Sequence, residues 1–218
     1  MRSSKFGFAI LFVLLAGAVA AVWAWQDPGV WKGPMTDEDV AYYMAAIDRN
    51  LDLPPDTGDE IMARLRAWAE ADDGRPVYML NLMRFYPEVL QSPGLPEFHG
   101  TPEEANTYYE QHVMPTLFRL GGYPLYFGHA QWRNLLGFDE DIDNWGRIGV
   151  VRYPSRRAFL ELLADPDYAP YMPYKLMALQ IYLTPMTAEV TVPELPWAAG
   201  ALALVIFLAA GWWRAARR

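Results

Sequence analysis

Three histidines, thirteen tyrosines and no cysteine set the chemistry open to this 218-residue chain. Without thiols there is no disulfide framework, no thiolate nucleophile, no Cys-ligated zinc and no iron–sulfur cluster. His99, His112 and His129 show no ligand spacing with one another, so a histidine-built metal site is not expected and no cofactor is implied. Asn81 interrupts an apolar stretch, where an unpaired amide would cost about 1–3 kcal/mol. It must therefore have a partner, whether a neighbouring backbone group, a second copy of the chain or a ligand that it orients. His129 follows a glycine and could serve as a general base, a ligand contact or an axial haem ligand, or be a satisfied or partly exposed side chain. Arg152, Tyr153, Tyr168, Tyr171, Tyr174 and Lys175 concentrate cations and polar-tipped aromatics, a set that can line a pocket for a small apolar or anionic ligand. The bland alternative pairs Arg152 with a carboxylate and lets the tyrosines cover the edge of a core. The run Asp139-Glu140-Asp141 with Asp143 lacks the glycine and terminal glutamate of an EF-hand loop and reads as solvated. No Ser-His-Asp context, phosphate-cradling glycine loop or paired-carboxylate constellation stands out, so the sequence assigns no catalytic residue.

The elements that must position these residues begin with the charge distribution. All 26 acidic residues lie between Asp27 and Glu194, whereas Arg2, Lys5, Arg214, Arg217 and Arg218 lie outside that span. The interior thus carries a net charge of −13 and the two ends together +5. An acidic body of this kind repels nucleic-acid backbones, which excludes nucleic acid as a partner. With 53% hydrophobic residues the chain has ample apolar surface to fold.

Both ends read as spans of a lipid bilayer. Phe6 to Trp25 is uncharged over 20 residues, which at 1.5 Å per residue matches a hydrocarbon core of about 30 Å. Its basic flank and Ala18-Val19-Ala20 also fit a secretory signal peptide. The continuation to Trp23 and Trp25, residues suited to the interface, favours an uncleaved anchor. Leu195 to Trp213 is a second uncharged run of 19 residues closed by arginines. Basic residues beside membrane segments stay cytoplasmic, so both termini are expected in the cytoplasm, with the acidic body on the far side of the cytoplasmic membrane, in the periplasm of a Gram-negative cell.

Within the body, Thr36 and Asp39 form a capping box for a helix to about Arg49, and Asp59 to Ala71 places Ile61, Met62, Leu65 and Trp68 at helical spacing. Val77 to Tyr86 reads as a strand whose near-continuous apolarity implies burial on both faces. Thr101-Pro102-Glu103-Glu104 opens a helix to about Leu120, stopped by Gly121-Gly122. Strands follow at Tyr123 to Trp132 and Arg147 to Tyr153, then a helix from Arg156 to Ala164 capped by Ser155, and a last strand at Gln180 to Thr184. The order strand, helix, strand, strand, helix, strand is the split βαβ plan of ferredoxin-like α+β folds. The chain divides into a first span (1–26), a linker and helical segment (27–74), the βαββαβ domain (75–188) and a second span with its basic tail (189–218).

Pro76-Val77-Tyr78-Met79-Leu80-Asn81-Leu82-Met83-Arg84-Phe85 resembles the opening strand of domain-of-unknown-function family 1330, a branch of the dimeric α/β-barrel superfamily. The similarity continues through Tyr108 or Tyr109, Gly121-Gly122, Tyr126-Phe127-Gly128-His129-Ala130, Val150-Val151-Arg152-Tyr153-Pro154-Ser155, Phe159 and Asp165-Pro166-Asp167-Tyr168. It covers about Asp59 to Thr187. The resemblance implies a ferredoxin-like subunit that forms a homodimer sheet to sheet, and it assigns no reaction. Lys175 and His129 stand where that pattern often carries arginine, so any contact relying on a bidentate guanidinium is altered here. The expected function is a membrane-anchored small-molecule-binding or interaction domain. A cofactor-independent oxygenase or isomerase, with Asn81, His129, Arg152 and Tyr153 around a pocket, is one alternative. An accessory subunit packing its spans on a membrane-protein partner is another.

Overall fold

The computed structural model describes residues 2–54, 56–91, 95–137, 144–189 and 195–217, and the acidic run at 139–143 lies outside them. Two long apolar helices, α1 (Arg2–Gln26) and α8 (Leu195–Ala216), bracket the chain. Their mean hydropathies, 2.5 over Phe6–Gln26 and 1.8 over Leu195–Ala216, go with lengths sufficient to cross a bilayer. The two pack side by side: Phe207 meets Phe8 at 4.4 Å and Phe12 at 5.6 Å between ring centroids, and Trp23 meets Trp197 at 5.6 Å.

Between them, the short α2 (Gly29–Lys32), α3 (Asp37–Asn50) and α4 (Gly58–Glu70) precede β1 (Val77–Phe85). The Thr36–Asp39 capping box is present as the sequence predicts. The Asp39 carboxylate also takes both forks of Arg157, at 2.7 and 2.9 Å, which joins α3 to the second helix of the main fold. That guanidinium, with the Thr36 backbone, holds the Asp39 carboxyl well below the usual carboxylate range.

The main fold continues with α5 (Pro102–Arg119), β2 (Tyr123–His129), β3 (Arg147–Tyr153), α6 (Arg156–Ala164), α7 (Met172–Ala178) and β4 (Leu179–Met186). Thr101 and Glu104 form the second capping box, and the Ser155 hydroxyl accepts from the Ala158 amide. The four strands make one sheet in the order β2-β3-β1-β4, and every neighbouring pair is antiparallel. Because residues alternate along a strand, Val77, Met79, Asn81 and Met83 face the helices and are buried, with Val151 and Tyr153 beside them on β3. Tyr109, Val113 and Leu117 of α5 and Phe159 and Leu162 of α6 complete that core.

The opposite face departs from the expectation for the first strand. Tyr78, Leu80, Leu82 and Arg84 are half-buried, because α5, α6 and α7 pack on the other face. Tyr126 and Tyr182, on the same face by register, are more than half exposed. The sequence reading assigns no element to α7, which occupies a proline- and tyrosine-rich stretch. Pro173 sits in its first turn, where a missing amide hydrogen costs nothing.

Candidate functional site

A cavity of about 90 Å³ lies between the helix-covered face of the sheet and the helices α5, α6 and α7. Its walls are largely apolar: Met79, Met83, Val113, Leu117, Phe127, Val151, Phe159 and Leu162. Its polar lining is Asn81, Tyr109, Glu110, Tyr153, Tyr168 and Lys175. The volume admits a small organic molecule and falls below the roughly 300 Å³ at which drug-sized pockets begin.

α7 brings Lys175 to this cavity. The helix and the residue before it are joined to α5 and the segment leading into it by a run of rings: His112 stacks on Tyr171 at 4.4 Å, Tyr108 meets Tyr174 at 4.7 Å, and Phe98 meets Tyr174 at 5.8 Å. From there the Lys175 amine donates to Asn81 Oδ1 at 3.3 Å and lies 5.1 Å from the centre of the Tyr109 ring. Asn81 in turn donates from Nδ2 to the Met79 carbonyl at 3.0 Å, so a backbone group and Lys175 are the partners its burial demands. The Tyr109 and Tyr168 hydroxyls stand 3.5 Å apart. Beside them Arg147 pairs with Glu110 at 2.5 Å while lying 4.5 Å over the Phe127 ring.

Burial sets the protonation states. It pushes the Lys175 amine down to about 8, with Glu110 opposing the fall and Arg147 adding to it. It pushes the Tyr109, Tyr153 and Tyr168 phenols up, so all three remain hydroxyl donors through the physiological range. An amine with a populated neutral form, beside protonated phenols and an amide carbonyl, can bind an oxygen anion or a carbonyl oxygen and can exchange a proton with it near neutrality.

A pH dependence of stability follows. From pH 8 upward the folded chain has released the Lys175 proton while the unfolded chain, at 10.5, still holds it, so stability rises with pH. The gain between pH 8 and 10 is about 2 kcal/mol. Above pH 10 the sign reverses, because unfolded phenols ionise while the buried tyrosines keep their protons. Denaturant melts across pH 7–11 should show this rise and fall, and Lys175→Met should lack the rise.

Of the residues singled out in the sequence, Asn81, Tyr153, Tyr168 and Lys175 meet at the cavity, and His129 and Arg152 do not. His129 ends β2, exposed, beyond the cavity wall. Arg152 alternates with Tyr153 along β3 and therefore points to the other face of the sheet. There it is buried against the end of α1, donating to Gln26 Oε1 at 2.8 Å and to the Gln26 carbonyl at 3.2 Å. Gln26 thus gives it a side-chain amide oxygen and a helix-terminal carbonyl as acceptors. Tyr109, Glu110 and Arg147 join the site without having been singled out for it. Tyr109 shares a helix face with Val113 and Leu117 and reads as ordinary core. Among the described residues no three or more His, Asp or Glu gather as cation ligands.

No model of a known protein family matches the chain. No curated protein matches it either. Among solved structures, it is similar to the RPA0582 protein of Rhodopseudomonas palustris, a protein of unknown function, with 26% identity and a TM-score of 0.51 over 65% of this chain and 98% of that one. The methylated RPA0582 protein gives 26% identity and a TM-score of 0.52 over 66% and 99%. SnoaB, a cofactor-independent oxygenase from Streptomyces nogalater, aligns at 18% identity and a TM-score of 0.35 over 55% of this chain and 99% of that one.

Proposed function

We propose that this protein binds a small molecule carrying an anionic or carbonyl oxygen, in a ferredoxin-like domain of the dimeric α/β-barrel kind held outside the cytoplasmic membrane by α1 and α8. The observation that carries the reading is the Lys175 amine, bonded to the Asn81 amide in an apolar cavity that three buried tyrosines also line. A buried cation is costly unless something compensates it. Here an amide oxygen and a ring face meet it, and its neighbour Glu110 is already engaged by Arg147. An oxygen of a ligand would complete the set, while the apolar walls would take the ligand's body.

The strand order β2-β3-β1-β4 supports the ferredoxin-like assignment. The half-buried Leu80, Leu82, Ile148 and Val150 on the open sheet face support sheet-to-sheet pairing with a second copy, since an antiparallel sheet with helices on one face leaves the other needing cover. The enzyme arrangement built on Asn81, His129, Arg152 and Tyr153 draws no support from the geometry, because two of its four members stand away from the cavity.

The test is mass spectrometry of small molecules released from full-length protein purified in mild detergent, comparing the natural chain with Lys175→Met. The expected result is a co-purifying compound bearing a carboxylate, enolate or carbonyl, present at near one equivalent in the natural chain and reduced at least tenfold in the variant. Equal recovery from both, or recovery from neither, overturns the reading.

A further inference from the structure

A second opening in the molecule lies far from the sheet, where the first turns of α1 meet the last turns of α8. Gly211 of α8 faces the Phe8 ring, 3.6 Å from where a Cβ would stand, an ordinary van der Waals distance. Next to this contact the helices part. Gly7 has no side chain, a Cβ there would meet nothing within 4 Å, and Ala210 across from it is short. The result is a groove of about 430 Å³, walled by Phe8, Leu11 and Trp213 and edged by Arg214 and Arg217.

Both guanidiniums lie over rings, Arg214 Cζ 5.2 Å from the centre of Phe8 and Arg217 Cζ 3.6 Å from that of Trp213. A stacked guanidinium keeps its edge N–H groups free to fork onto an oxyanion. Among the described residues neither meets a carboxylate, and no Asp or Glu occurs before Asp27 or after Glu194. No side chain of α1 or α8 can therefore neutralise them. Two such arginines at the mouth of an aromatic-walled apolar groove make a surface for an amphiphile with an anionic head, and basic pockets between spans are where such headgroups bind.

The geometry points to this groove as a site for one anionic phospholipid per chain, its phosphate held by Arg214 and Arg217 and the start of an acyl chain lying along Phe8 and Leu11. The inference rests on α1 and α8 being membrane spans. It also places the groove in the cytoplasmic leaflet, whose lipids carry the negative charge.

Native mass spectrometry of the detergent-solubilised full-length protein, supplied with phosphatidylglycerol or phosphatidylcholine of identical acyl chains, reads the site directly. One retained phosphatidylglycerol per chain is expected, with phosphatidylcholine at least tenfold less occupied and inorganic phosphate at millimolar concentration unable to displace the lipid. Arg214→Gln with Arg217→Gln should remove the preference for phosphatidylglycerol, whereas Arg64→Gln, an exposed change on α4, should leave it intact. Circular dichroism of each variant confirms that the helices persist. Equal retention of the two lipids, an unchanged preference in the double variant, or displacement by free phosphate overturns the site. Alkaline carbonate extraction of membranes separates the two levels of failure. A chain that stays with the membrane but ignores headgroup charge loses only the lipid site, and a chain released to the supernatant loses the membrane reading as well.

Discussion

Arg152→Ala is expected to destabilise the protein by about 4 kcal/mol, through the loss of a buried cation and the stranding of the two Gln26 acceptors. Arg152 is 1% exposed and Gln26 is 0% exposed, so water cannot replace what is lost. Truncation orphans the Gln26 side-chain oxygen and a last-turn carbonyl of α1, at roughly 1–3 kcal/mol each. It also withdraws a cation from the negative end of the α1 dipole and from the face of Tyr123, 5.6 Å away. Lysine at this position should recover little, because a point charge cannot bond both acceptors as the guanidinium fork does. The measurement is denaturant unfolding of the full-length protein in detergent, with limited proteolysis of the 27–36 segment alongside. An Arg152→Ala chain as stable and as resistant there as the natural one would refute this account of the junction.

Gly29→Ala is expected to cost about 3 kcal/mol for a different reason, steric overlap between two backbones. A Cβ on Gly29 would lie 2.0 Å from the Gly74 carbonyl oxygen and 2.8 Å from its carbon. Gly74 itself has a φ of 72°, in the turn that leads from α4 into β1, and cannot retreat without moving that turn. Overpacking of a fixed neighbour costs about 1–3 kcal/mol and occasionally more. Gly146→Ala provides the control, since its φ is not positive and an added Cβ there would meet only the Met83 carbonyl oxygen, at 3.9 Å, so it should change stability by less than about 1 kcal/mol. If the two variants melt at the same temperature, the close approach of Gly29 to Gly74 contributes nothing.

Arg152 and the Gly121 carbonyl, to which Gln26 Nε2 donates at 3.1 Å, fix the end of α1 to the sheet, and the Gly29–Gly74 contact fixes α2 to the turn before β1. None of the three was legible in the sequence, because each joins residues tens of positions apart and none has a local signature. What was legible is local. The Thr36–Asp39 and Thr101–Glu104 boxes and the Ser155 cap mark helix starts to within a residue, since a capping hydroxyl acts over three positions. Arg147 to Tyr153 and Arg156 to Ala164 match the observed elements at both ends. Strand alternation puts Arg152 and Tyr153 on opposite faces of β3, so neighbours in sequence that look like one site cannot both reach the cavity. α7 was hidden because Pro170, Pro173 and three tyrosines mimic a loop. Its helicity comes from the ring stack on α5, a tertiary cause. Tyr109 was hidden for the opposite reason, being as apolar in its spacing as the core residues beside it.

The pairing of α1 with α8 makes the molecule a closed ring: Phe8 and Phe207 touch although 199 positions separate them along the chain. For a floppy chain, closing a loop of that length costs roughly 5 kcal/mol in entropy beyond a fixed constant. The folded body removes most of that cost, since it delivers both helix ends to one place, where the Leu195 amide donates to the Tyr123 hydroxyl at 3.4 Å. Association of the two apolar helices is therefore conditional on the sheet between them. A lesion that unfolds the sheet loses the sheet's own contacts and also turns a ring back into a line, so the helix pair should come apart in the same transition as the body.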